Sequence, residues 1–197
     1  MRPRRTAPLI VPAADVAWLM AGEPEVLLPD GPHQWVWLSG TGTGDASVTL
    51  LTRPPAWRGS PSPAMRTVLA ADAPITVRLA VTSAGWTRPV EMPGRPLMRV
   101  VRPGWLIRHQ LTWWHVVEAD DCSGECPYGG RCSGVLRLHC GGRPVTQTHV
   151  DPLEYQEVCL PAATPVPAGA AGSPGPVSPD SGPGTPPTGS ETTGVPR

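Results

Sequence analysis

The feature that most constrains the fold is a cluster of cysteines in the second half of the chain. Four of the five cysteines lie in the stretch CSGECPYGGRCSGVLRLHC, and none occurs before position 122. The residues between them are mostly serine, glycine and proline, which let the backbone turn tightly. Gly129 and Gly130 can adopt the positive φ that such a loop needs. We therefore expect the thiols to converge and to tie the C-terminal half of the domain together.

The number of cysteines suits a structural zinc site, because zinc binds four cysteine or histidine ligands in a tetrahedron. His139 is a weaker candidate than His149, since neighbouring residues of a strand point to opposite faces and His139 adjoins Cys140. Zinc with a structural role is therefore the expected cofactor. The predicted ligands are Cys122, Cys126, Cys132 and Cys140, with Cys159 and His149 as alternates.

Other chemistries for the cysteines stay open at this point. In an exported protein, two disulfides and one spare thiol would account for the odd count. An iron–sulfur cluster and ordinary reduced thiols are further alternatives. The neighbouring acids count against a metal, since a thiolate-rich zinc site is itself anionic. These acids are Glu118, Asp120, Asp121 and Glu125.

Composition divides the chain into a foldable part and a tail. From Pro161 to Arg197 almost every residue is Pro, Gly, Ser, Thr, Ala or Val, and such a segment lacks the apolar surface needed to offset the entropy of ordering it. We expect a disordered tail over 161–197 and one domain over 1–160, with the cysteine cluster at 122–159. A domain of this size can build one core but not two.

Hydrophobic alternation predicts a mainly β fold. In Ile75–Thr82, for example, alternate residues are apolar and would share one face of a sheet. One short N-terminal helix is expected at Ala13–Ala21, where Val16 and Leu19 fall on one side before Gly22. The pattern indicates a single small β-rich domain of about six to eight short strands, and no internal repeat is evident. The other predicted strands are Gln34–Leu38, Ala46–Thr52, Met65–Ala71, Leu97–Val101, Trp105–Ile107, Leu111–Glu118 and Val135–His139.

An arginine-rich stretch with interleaved tryptophans, between positions 86 and 115, suggests contact with nucleic acid. Arginine forks bind phosphate, and tryptophan faces can stack on unpaired bases. The simpler alternative is that the tryptophans form core in a chain without phenylalanine, and that the arginines are ordinary surface cations. A formal net charge of zero argues against a strongly cationic nucleic-acid-binding protein. The predicted contact residues are Arg95, Arg99, Arg102, Arg108 and Trp105.

No sequence motif indicates an enzyme. The chain contains no lysine, which excludes a Walker A loop and a Schiff-base anchor, and neither a G-x-S-x-G elbow nor an H-E-x-x-H helix occurs. No apolar window is long enough for a membrane span. The leading hypothesis is a non-enzymatic, cytoplasmic accessory protein with a structural zinc site and a protein or nucleic-acid partner. The alternatives are a secreted, disulfide-stabilised binding domain and a translated frame without selected function, which a GC-rich genome can produce.

Overall fold

The computed structural model of the chain describes residues 4–29, 34–53, 63–122, 126, 129 and 131–164. Over these residues the fold is mainly β, which confirms the predicted fold class. Backbone pairing continues beyond Leu160, since Trp86 bridges to Pro161 and Thr6 bridges to Ala162. The rest of the predicted tail, 165–197, lies outside the described residues. The expectations for Gly130 and Glu125 in the cysteine loop lie outside them as well.

The described residues form fourteen strands and two helices. The expected six to eight strands and one helix were too few, because several strands are only two to four residues long and show no extended hydrophobic alternation. The predicted N-terminal helix is present as a 3₁₀ helix over Ala13–Gly22, and a second helix, α1, spans Gly94–Val100. The strands are β1 (Arg4–Arg5), β2 (Leu9–Pro12), β3 (Glu25–Leu27), β4 (Val36–Thr43), β5 (Ser47–Arg53), β6 (Met65–Ala70), β7 (Pro74–Arg78), β8 (Ala80–Val81), β9 (Val90–Pro93), β10 (Leu106–His109), β11 (Thr112–Asp120), β12 (Gly134–His139), β13 (Thr146–Val150) and β14 (Tyr155–Cys159).

The two large sheets of the fold have the same topology. The first has the strand order β2-β7-β3-β4-β5-β6, and the second has the order β9-β14-β10-β11-β12-β13, with all neighbours antiparallel. In each sheet the strand that comes first in the chain ends at a proline, Pro12 or Pro93, and a helix follows at once. The six strands of one sheet therefore correspond in order to the six strands of the other. The fold contains an internal repeat, and the expectation of none was wrong.

A buried threonine closes each repeat in the same way. The first repeat begins with TAPLIVP and the second with TRPVEMP. The backbone N–H of Leu79 donates to Thr6 Oγ1 at 3.1 Å, and the backbone N–H of Leu160 donates to Thr87 Oγ1 at 3.0 Å. In both pairs the partners are 73 positions apart. The repeats thus span 6–79 and 87–160.

The two repeats share one hydrophobic core. Ile75 and Val77 of β7 point into it, as their alternation predicts. The 3₁₀ helix packs against β9, and α1 packs against β2, so each helix contacts the first strand of the other repeat. This reciprocal packing makes a single domain of the two repeats. Large, fully buried side chains come from both: Leu19, Leu38, Leu50 and Leu79 from the first, and Met92, Leu97, Ile107, Leu136 and Leu138 from the second.

The predicted strand at Leu97–Val101 is wrong, because these residues belong mostly to α1. Leu97 and Val100 are three positions apart, so a helical turn brings both onto the core side, where both are buried. Gly94 lets the start of α1 lie against the turn after β13. A Cβ added at this glycine would overlap the carbonyl oxygen of Asp151.

Candidate metal centre

Three neighbouring strands of the second sheet bring the candidate ligands together. The register places Asp120 of β11 opposite Val135 of β12, and Val135 opposite His149 of β13. Cys122 lies just beyond the end of β11, and Cys132 lies just before the start of β12. The connection between these two strands and the end of β13 therefore meet at one corner of the sheet.

The side chains of Cys122, Cys126, Cys132 and His149 form one compact group. Their nearest ligand atoms all lie within 4.8 Å of one another. His149 Nδ1 is 3.7 Å from Cys122 Sγ and 3.6 Å from Cys132 Sγ, and the sulfur atoms of Cys126 and Cys132 are 3.3 Å apart. Gly129, within the same loop, has the expected positive φ of 62°.

These separations are close to those of a tetrahedral zinc site. Zinc–sulfur bonds of about 2.3 Å and zinc–nitrogen bonds of about 2.0 Å place sulfur atoms about 3.8 Å apart and sulfur about 3.5 Å from nitrogen. The two sulfur–nitrogen distances agree with this geometry to within about 0.2 Å, and the sulfur–sulfur distance is somewhat short. The group is compatible with a metal ion bound by three thiolates and Nδ1 of His149.

The neighbouring thiols favour the protonated form of Cys122 when no cation is bound. The pKa of Cys122 is raised to about 12, first by its hydrogen bond with Cys132, then by burial and by the hydrogen bond with Cys126. Three thiolates this close together repel one another, so they need a cation between them. All four side chains are half-buried, which leaves the centre accessible to an incoming ion.

The predicted ligand Cys140 is not part of the group. It follows the far end of β12, five residues beyond Val135, which corresponds to about 17 Å along an extended strand. Its side chain packs instead against the hydrophobic core. His149, an alternate ligand in the sequence analysis, takes the fourth position.

The other alternate, Cys159, is also far from the group. It lies in β14, and three strands separate β14 from β13, which is about 19 Å at the usual strand spacing. Its thiol is buried, and burial, with a smaller contribution from the charge of Glu157, raises its pKa to about 11. Cys159 is therefore a buried residue outside the metal group.

A cleft of about 750 Å³ opens beside the metal group. Arg95 and Arg99 of α1 line it, together with Arg131, Asp121 and Cys132 of the loop. Two of the predicted nucleic-acid contact residues thus lie next to the candidate metal centre. Arg131 was not predicted, because it lies outside the arginine-rich stretch and only the fold brings it to the same place.

The remaining predicted contact residues do not extend this surface. Trp105 is only 4% exposed, so its face is not available for stacking on a base. Arg102 lines a different groove, which also contains Trp105. Arg108 is paired with Glu157 at 2.5 Å. Of the five predicted contact residues, Arg95 and Arg99 thus line the cleft beside the metal group, whereas Arg102 and Trp105 line a different groove.

Comparisons of this chain with protein-family models, with curated proteins and with solved structures give no match. Among the described residues, no helix is long and apolar enough to cross a membrane.

Proposed function

We propose that Cys122, Cys126, Cys132 and His149 bind one structural zinc ion, and that the protein is a non-enzymatic interaction protein of a reducing compartment. The observation that carries the proposal is the convergence of four ligand atoms within 4.8 Å of one another. A set of three thiolates and one imidazole fills the tetrahedral shell of zinc. Catalytic zinc sites keep one position open for water or substrate, whereas closed four-ligand sites are structural.

The internal repeat supports a structural role for the ion. In the first repeat, β4 and β5 are joined by a connection of three residues, 44–46, whereas the equivalent strands β11 and β12 are joined by the much longer segment 121–133. This segment is rich in glycine, serine and proline, and so offers little apolar surface to offset the entropy of ordering it. Zinc ligation by three of its residues would provide the missing free energy.

Native mass spectrometry of the full chain, purified with and without reducing agent, tests the proposal. We expect a mass excess of one zinc ion in the wild-type protein. Cys132→Ser should lose the ion, because it removes a thiolate ligand. Cys140→Ser, the same substitution in a cysteine outside the group, should keep it. A wild-type protein that takes up no zinc would refute the proposal.

A second candidate is an exported, disulfide-stabilised binding domain. It is favoured by the 3.3 Å separation of the sulfur atoms of Cys126 and Cys132, since a small movement would bring them to the length of about 2.05 Å of a disulfide. In the same experiment this candidate predicts no zinc and a mass deficit of about two hydrogens per disulfide. The two candidates therefore give opposite mass shifts.

A further inference from the structure

The cleft beside Cys132 is lined by arginines from two separate elements of the fold. Arg95 and Arg99 line it from α1, where they are four positions apart and hence on the same helix face. Arg131 also lines it, from the segment that carries the metal ligands. All three side chains are exposed. The cleft thus presents three guanidinium groups on two separate elements.

Acidic groups offset part of this positive charge, including the net negative charge that a three-thiolate zinc centre would carry. Arg99 Nη1 lies 3.2 Å from Asp15 Oδ2, and Asp121 also lines the cleft. Among the described residues, neither Arg95 nor Arg131 forms an ion pair. Like charges four positions apart on a helix repel each other, so the proximity of Arg95 to Arg99 does not itself stabilise α1.

The internal repeat shows that the fold itself does not require these arginines. Thr6 of the first repeat corresponds to Thr87 of the second, and the chain runs without a gap from each threonine into the following helix. In this alignment Ala14 occupies the position of Arg95, and Trp18 occupies the position of Arg99. The arginines occur only in the repeat that also carries the cysteine loop.

We infer that the cleft formed by Arg95, Arg99 and Arg131 binds phosphate groups. Guanidinium forks form paired, charge-assisted hydrogen bonds with phosphate oxygens. The same phosphate chemistry could come from the backbone of a single-stranded nucleic acid or from a free phosphorylated molecule. The inference deepens the proposed function and rests on it in one respect, since zinc would fix the segment that carries Arg131.

Contacts between α1 and strands β12 and β13 connect the helix that carries Arg95 and Arg99 with the part of the sheet that carries the metal ligands. Arg95 N–H donates to the carbonyl of Pro152, just after β13, at 3.3 Å. Met98 of α1 packs so closely against Gly134 of β12 that a Cβ at this glycine would overlap the methionine side chain. These contacts hold α1 against the sheet and involve none of the metal ligands, whereas zinc would fix the segment that carries Arg131. Loss of zinc should therefore displace Arg131 relative to α1 and weaken phosphate binding.

Fluorescence anisotropy with a short labelled single-stranded DNA, and calorimetric titration with pyrophosphate, test the inference on the full chain. We expect Arg95→Gln and Arg131→Gln each to weaken binding about tenfold and to lower the salt dependence by about one phosphate contact. Arg66→Gln is the matched control, because Arg66 is exposed on β6, outside the cleft. Binding of pyrophosphate alone, with the same arginine dependence, would identify a free phosphorylated ligand as the source.

Zinc content, measured on the same samples, separates this inference from the proposed function. If zinc is present but neither probe binds, or both bind the arginine variants as tightly as the wild type, the phosphate cleft is refuted and the zinc site stands. If Arg131→Gln loses zinc without changing probe affinity, Arg131 serves the metal centre and the inference is also refuted. If no zinc is found, the proposed function fails. The effect of the arginine substitutions on probe affinity then decides by itself whether the cleft binds phosphate.

Discussion

Loss of the metal should destabilise the domain by an amount that follows from the position of its ligands. Zinc would join Cys122 to His149, which are 27 positions apart. The loop-closure entropy that applies to a cross-link over this span corresponds to about 3.5 kcal/mol at 25 °C. For a domain of this size, each kcal/mol shifts the melting temperature by about 2–4 °C, so chelation should lower it by about 10 °C.

Thermal unfolding of the full chain, followed by circular dichroism with and without a chelator, measures this shift. Cys132→Ser should melt at the temperature of the chelated wild type and should not respond to chelator. Cys140→Ser should keep the full chelator response, because Cys140 contacts the core and not the metal group. Stabilisation of the domain by the metal is refuted if the chelator leaves the wild-type melting temperature unchanged, or if both variants respond alike to the chelator.

Three further predictions concern proton release, thiol reactivity and packing. Because the pKa of Cys122 in the metal-free protein is raised to about 12, its thiol must lose a proton to bind zinc, and zinc affinity should rise with pH. Calorimetry in two buffers should detect proton release on zinc binding, and no release would contradict thiolate ligation. Burial raises the pKa of Cys159 to about 11, so its thiol should resist iodoacetamide in the folded protein and react in urea. Peptide mass spectrometry measures this labelling, and rapid labelling of the folded protein would argue against burial of Cys159. Gly94→Ala should lower the free energy of unfolding by about 2 kcal/mol, because the new methyl group overlaps the Asp151 carbonyl. Urea titrations measure this change, and an unchanged urea midpoint of unfolding would contradict the close approach.

The alternation of apolar residues along the sequence was enough to predict the fold class. The prediction of individual elements was wrong where tertiary contacts determine the secondary structure. Ile75 and Val77 are buried on one face, as their spacing indicates. Leu97–Val101 is a run of mostly apolar residues that suits a strand or a buried helix, and only its packing against β2 and β9 selects the helix. Short polar strands such as β14 were missed because Gln156 and Glu157 interrupt the hydrophobic pattern.

The internal repeat was hidden because the repeats preserve packing roles more than residue identities. Val11 and Met92 are both fully buried at equivalent positions, although their side chains differ. The clearest remaining signal is the pattern of one threonine and two prolines shared by TAPLIVP and TRPVEMP. A search for spaced pairs of this kind could have detected the repeat.

The candidate metal group was predicted in part for a similar reason. Cys122, Cys126 and Cys132 share one loop, so their spacing in the sequence was informative. The choice between Cys140 and His149 depends on strand register, which places His149 opposite Val135 and carries Cys140 to the other end of β12. Spacing along the chain does not contain that information.

The reciprocal packing of the two repeats resembles the association of subunits in a symmetrical dimer, with the subunits fused in tandem. Each helix packs against the first strand of the other repeat, and both repeats contribute to one core, so either repeat expressed alone would expose apolar surface to water or pair with a second copy of itself. Fusion also removes the requirement that both copies stay alike. One copy can keep the plain hairpin between β4 and β5 while the other acquires the cysteine-bearing segment, which places the candidate metal group in one of two repeats of the same topology.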